Sequence, residues 1–410
     1  MKSTLILALL LLALGMTISA QSPDMSYYIA DYNRTDATVY DLLDIVQSVR
    51  DRNLSGIGYF YEHALRMLLY RLPNFNSPLE RMAVQDTARI ILRGLAAEKQ
   101  TTAGPYVWSL IQEFDIVQER NDGLLMTEGI ITLGEIGAVD YLPHIILRLD
   151  NFNADFTTDS HARRKIQMGA TGAIAALEAL GRPEGVRPVF FASIGWFDPE
   201  IRAIAAAAFP HIMEDPSEIV SEIIRSPFND PSVKFAAWEK LLQSNAPDSS
   251  KANVAAIALE ISYTYVTPYS EFQKYLTELR MSAIDAIRDY GVEDGSPVYA
   301  YLERTYREAY NTPTPDFGTI MRVISTLSAI RTDEAVEILT AFLREINTRR
   351  RSGPWGYLER DILRFIIPSI ALTGTELPET MQLLTAIERS TAYTQAEQIW
   401  ATTALRALVK

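Results

Sequence analysis

Cationic and aromatic side chains crowd together in one stretch of this chain, comprising Arg344, Arg349, Arg350, Arg351, Trp355 and Tyr357. Guanidinium groups present planar forks of donors that match carboxylate and phosphate oxygens, and neighbouring rings can stack on whatever those forks hold. Arg349, Arg350, Arg351, Trp355 and Tyr357 are therefore the expected partner-binding residues, on a loop spanning 347–357. The competing reading is an inter-helix turn whose arginines pair with nearby Asp and Glu while Trp355 fills a groove between helices.

Chemistry of other kinds finds little support. The four histidines, His63, His144, His161 and His211, are never three to five residues apart, and no His-Glu-x-x-His run is present, so no metal site is expected. With no cysteine, thiol catalysis, disulfides and Cys-ligated metals are excluded. No Gly-x-Ser-x-Gly elbow or phosphate-cradling glycine loop occurs, so no catalytic residue is assigned, no cofactor is implied, and the chain reads as a non-enzyme. The acidic segment from Asp150 to Asp159 is rich in oxygen donors. Its spacing departs from that of a calcium loop and no closing glutamate follows, which leaves a solvated loop whose Asp159 caps the next helix.

At 410 residues with 48% hydrophobic composition the chain can bury a large core. Its net charge of -13 disfavours nucleic acid and anionic membrane surfaces. Residues 1–20 read as a secretory signal: Lys2, then an apolar run from Leu5 to Leu14, then small residues ending at Ala20. That run is too short to span a bilayer, which takes about 20 apolar residues. Export without disulfides fits a bacterial envelope protein, periplasmic or secreted, with no membrane span in the mature chain. The sequons at Asn33 and Asn53 are read as accidental.

These side chains must be positioned by helices, because almost every apolar segment after residue 36 has helical period. Val39, Leu42, Leu43, Ile45, Val46 and Val49 mark one face of a first helix, with Asp41, Asp44 and Gln47 opposite. Ser77-Pro78 with Glu80, Asp198-Pro199, Asp215-Pro216 with Glu218, and Asp230-Pro231 are helix starts. A second element recurs, a helix that ends at glycine and restarts within a few residues: Gly134 and Gly137, Gly181, Gly291 and Gly374, with a glycine-less copy at Ile330-Arg331-Thr332-Asp333. The restarted helices begin near 139, 186, 217, 297, 335 and 378, with an unmarked copy near 252, at spacings of about 31 to 47 residues. Loops at 150–160, 244–250 and 347–357 interrupt the plan.

Asp198-Pro199-Glu200-Ile201-Arg202 before Ala205-Ala206 and Asp230-Pro231-Ser232-Val233-Lys234 before Ala236-Ala237, together with Leu133-Gly134-Glu135-Ile136-Gly137-Ala138-Val139, resemble HEAT repeats of the armadillo-like class. The resemblance covers about two thirds of the chain. It implies an all-α fold, a right-handed α-α superhelix (HEAT-like solenoid) of paired antiparallel helices. It further implies that Asp198, Asp230, Arg202 and Lys234 knit neighbouring repeats through polar contacts, while the alanines let helices approach closely. The domain plan is then a signal peptide at 1–20, an N-terminal helical region at 21–118 of divergent repeats or a cap, and a repeat solenoid at 119–410. The tyrosines between 263 and 310 are expected on its concave face.

The functional expectation is an exported scaffold that binds another protein in the cell envelope, because stacked repeats create a long contact surface. The alternative is a carbohydrate-active enzyme on an all-helical toroid, with paired acids and aromatic sugar platforms.

Overall fold

A computed structural model describes residues 25–52, 54, 56–114, 123–292, 295–352 and 356–409, at 351 and 352 for the backbone only. The expected signal segment, Asn53, Trp355 and the side chain of Arg351 lie outside the described residues. Among those described there are twenty α-helices, a few short 3-10 turns and no strand. No described helix is long and apolar enough to cross a membrane.

The described residues up to 213 form one compact unit. Its helices are α1 (Met25–Tyr32), α2 (Val39–Asp51), α3 (Gly58–Arg71), α4 (Pro78–Ala97), α5 (Gly104–Glu113), α6 (Leu124–Glu135), α7 (Leu142–Ala154), α8 (Ser160–Leu180), α9 (Val186–Ile194) and α10 (Pro199–Ile212). Residues 214–410 form the second unit. It holds α11 (Ser217–Arg225), α12 (Pro231–Gln243), α13 (Asp248–Thr264), α14 (Ser270–Tyr290), α15 (Val298–Tyr310), α16 (Phe317–Ile330), α17 (Asp333–Ser352), α18 (Tyr357–Thr373), α19 (Pro378–Arg389) and α20 (Gln395–Leu408).

Within each unit, helices pack in consecutive pairs, and most also pack on the helix two further along. In the first unit α2, α4, α6, α8 and α10 touch in sequence, each paired with the odd-numbered helix before it. In the second, α12, α14, α16, α18 and α20 form such a row, and α11, α13, α15, α17 and α19 form the other. The expected restart positions fall at odd-numbered helices, and the unmarked copy near 252 is α13. The first helices, α1 to α5, follow the same rule although they lack the motif residues.

Local chemistry explains the boundaries. Ser77 and Glu80 form a reciprocal capping box at the start of α4, and Thr38 and Asp41 do the same for α2. Asp230 caps α12 by accepting from the backbone of Ser232 and Val233. Asp159 caps α8 through the Ala162 amide at 2.7 Å, one residue ahead of the expected start. Gly181 and Gly374 close α8 and α18 in the left-handed conformation. Gly134 has another use: a Cβ there would lie 2.5 Å from the Ala176 Cα, so its lack of side chain lets α6 and α8 approach closely.

All three expected loops are partly helical, the one at 244–250 because α13 already begins at Asp248. Helix α7 continues to Ala154 because Ile145, Leu149 and Phe152 extend one buried stripe, which leaves only 155–159 as linker. Helix α17 continues to Ser352, so Arg349 and Arg350 belong to its last turns rather than to a loop. The stripe of Leu339, Leu343 and Ile346 carries it there, and arginine is a good helix former. Tyrosines 299, 306 and 310 are buried rather than displayed on a surface. Tyr306 stacks on Tyr310 and on Phe342, so the odd-numbered row of the second unit uses these rings as core.

Candidate functional site

The arginine run divides as α17 turns. Arg349 pairs with Glu345 at 3.1 Å and lies 4.4 Å over the Tyr310 ring. Arg350 donates from Nε and Nη2 to the Ala392 carbonyl at 3.0 and 2.7 Å, and lies 5.7 Å over the Tyr393 ring. Arg344 pairs with Glu379. These arginines join α17 to its neighbours by hydrogen bonds, ion pairs and cation–π contacts.

Arg350 and Tyr357 do share a groove of about 390 Å³ with Arg360, Thr394 and Glu397. Tyr357 is 87% exposed at its rim. Glu397 is fully buried: one oxygen accepts from the Thr394 amide at 2.7 Å. The other has no hydrogen-bond partner and lies 3.8 Å from Arg360 Nε. Thus the sequence cluster is split, with Arg350 and Tyr357 together and Arg349 directed to Glu345 and Tyr310.

A larger groove, of about 730 Å³, lies where α14, α16 and α18 run side by side in the second unit. Asp285 and Arg288 enter from α14, Met321 and Arg322 from α16, Arg331 from the turn after it, and Phe365, Ser369 and Leu372 from α18. One Asp285 oxygen serves two guanidinium groups, Arg288 at 3.1 Å and Arg322 at 3.3 Å. Arg288 also bonds Asp289 at 2.9 Å. That bond is the main cause holding Arg288 protonated above the ordinary arginine range. Arg331 is exposed and makes no hydrogen bond or ion pair among the described residues. Its φ of 60° puts it in the left-handed region, shared among non-glycine residues described only by Lys99. Phe365 and Leu372 are 43% and 66% exposed, so the groove joins guanidinium donors to an uncovered apolar wall.

Such an arrangement can hold a carboxylate beside an apolar group. No short motif announces it, because its members are spread from residue 285 to 372. One local signal exists: the helix ends at Arg331, where Gly181 and Gly374 close α8 and α18 and only Lys99, among the described residues, is another non-glycine in the left-handed region.

The remaining candidates are occupied structurally. His63 bonds Asn33 and Arg66, each at 2.9 Å, and burial followed by the Arg66 charge pushes its pKa down. His144 stacks on Trp108, and His211 bonds Glu178 at 2.7 Å. The Tyr263 ring centre lies 3.7 Å from the Arg280 guanidinium and 4.4 Å from that of Arg304, and its hydroxyl meets Thr305. No group of three or more His, Asp or Glu that could hold a metal occurs among the described residues.

The two echoed segments prove unequal in their contacts. Asp198 reaches across to Arg163 of α8 at 2.5 Å, while Arg202 is exposed. Asp230 instead caps its own helix, and Lys234 is fully buried, donating to the carbonyls of Ile224 and Ser226 at the end of α11. Compared with known proteins, the sequence matches no family model and no curated relative.

Proposed function

We propose that this chain is an exported HEAT-like solenoid that acts by binding another protein in the cell envelope, without catalysis of its own. The observation that carries this reading is the groove between α14, α16 and α18, where Phe365 and Leu372 stand uncovered beside Arg288, Arg322 and Arg331. Recognition surfaces combine such apolar anchors with arginine, and a row of packed helices supplies the rigid platform they need. The packing of helices in consecutive pairs, with most of them also touching the helix two further along, supports the solenoid reading within each unit. The apolar segment ahead of Ala20 supports export.

A photo-reactive amino acid at Phe365, in the full chain expressed with its first 20 residues, tests the reading. The expected result is export with a new N-terminus near Gln21 and a discrete covalent adduct with one envelope protein after illumination. Retention in the cytosol, or no protein adduct at Phe365, overturns it.

A further inference from the structure

We infer that the groove between α14, α16 and α18 receives a linear acidic segment of a partner protein, anchored by one apolar side chain. The inference rests on the protein-binding reading and names the chemistry of the segment bound.

Charge complementarity decides the sign of the occupant. Three arginines line the groove in a chain whose net charge is -13. The only lining carboxylate among the described residues, Asp285, is divided between Arg288 and Arg322. Asp289, outside the lining, takes a second bond from Arg288. Even with both carboxylates counted the arginines remain in excess, and Arg331 has neither as a partner. A carboxylate entering from outside would gain charge-assisted hydrogen bonds from donors already gathered.

Backbone conformation points to the same residue. A left-handed position is costly for a residue with a Cβ, and other helices of this chain end in that conformation at Gly181 and Gly374. The turn after α16 uses Arg331 instead, and Arg331 is among the residues that line the groove. Strain kept where glycine would remove it is an indicator of a functional side chain. Across the groove, Phe365 and Leu372 supply the wall for an apolar anchor, which makes an amphipathic peptide a better fit than a uniformly charged polyanion.

The test selects binders for the full chain from a displayed library of random linear peptides. The expected winners pair Asp or Glu with a large apolar residue, and bind Arg322→Gln and Arg331→Gly variants at least tenfold more weakly. Arg331→Gly should melt at an equal or higher temperature than the parent, because glycine relieves the left-handed position. Loss of binding there is then not loss of fold. Leu372→Ser should weaken the same peptides, and polyaspartate should compete poorly. Basic or uncharged winners, no enrichment, indifference to the arginine variants, or equal competition by polyaspartate each overturns the inference. Should the Phe365 probe capture a partner while selection fails, the protein-binding reading stands and only the acidic-segment inference falls. Selected acidic peptides without a captured envelope partner do the reverse, upholding the groove's preference and overturning the envelope reading.

Discussion

Lys234 is the residue whose environment has the clearest consequence for stability. Its ammonium group is fully enclosed, bonded to two carbonyls and 4.9 Å from the Tyr265 ring, yet burial outweighs the opposing pull of Asp230 and lowers its pKa to about 8. The unfolded chain keeps that proton up to the ordinary value of 10.5, so above pH 8 the unfolded state binds more protons and stability rises with pH. At 1.36 kcal/mol per unit the gain between pH 8 and 10 is at most about 3 kcal/mol. Above pH 10 the sign reverses. Burial raises Tyr32 and Tyr306 far above their ordinary value and pushes Tyr310 up to about 12, so the unfolded state then loses protons that the folded state keeps. Denaturant titrations of the parent and Lys234→Met between pH 7 and 10 check this. The parent should gain on the variant as pH rises, and parallel curves would dismiss the buried-charge account. Sequence shows the basic residue at 202 and at 234 alike. Which is enclosed depends on helix packing that no neighbouring residue reports, and so the resemblance offers both only as polar links between repeats until the structure places Lys234 inside.

At the scale of helices, most of the architecture was legible because its signals are local. Ser77-Pro78 with Glu80, Asp230-Pro231 and the turn at Gly181 mark boundaries through hydrogen bonds between residues two to four apart, and Gly374 marks one through its left-handed backbone. The misplaced ends of α7 and α17 have the opposite origin. Polar residues there look like loops, while the stripe that keeps them helical ends at Phe152 and Ile346. Gly134 shows how a local reading can assign the wrong job to a glycine, since the left-handed turn is made by Gly137. Alanine at 134 would improve helix propensity by about 1 kcal/mol. Against this, its Cβ meets the Ala176 Cα at 2.5 Å and carbonyl oxygen at 2.8 Å, which are backbone atoms that cannot rotate away. Overpacking of this kind costs about 1–3 kcal/mol, so the clash should win or at least cancel the propensity gain. Gly134→Val should melt lower still, as followed by helical circular dichroism. A higher melting temperature for the valine variant would show that α6 and α8 can separate without penalty.

At the scale of the whole molecule, the candidate site is what the sequence conceals most thoroughly. Arg288, Arg322, Arg331, Phe365 and Leu372 meet because even-numbered helices pack as a row, so residues on successive members converge across intervals that hold an entire odd-numbered helix. The conspicuous arginine run was legible by composition, but its partners Tyr310 and Ala392 are far from it in sequence. The same packing rule predicts where the chain can be divided. A helix in a row draws its stability from its pair partner and the members beside it, so a fragment that keeps whole pairs retains most of its buried apolar surface. Residues 25–213 and 214–410 each contain five complete pairs and form the two compact units. Expressed separately, each should be helical and unfold cooperatively in urea, and the second should retain the peptide-binding groove. A cut between α15 and α16 instead divides a pair and removes the Arg322 side of that groove from its α14 side. The 214–310 fragment should therefore unfold at lower urea than 214–410, through loss of the surface that Val323, Ile324 and Leu327 cover. Equal midpoints for those two fragments would refute the dependence of α14 and α15 on the helices that follow, and with it the account of the row as one cooperative support for the site.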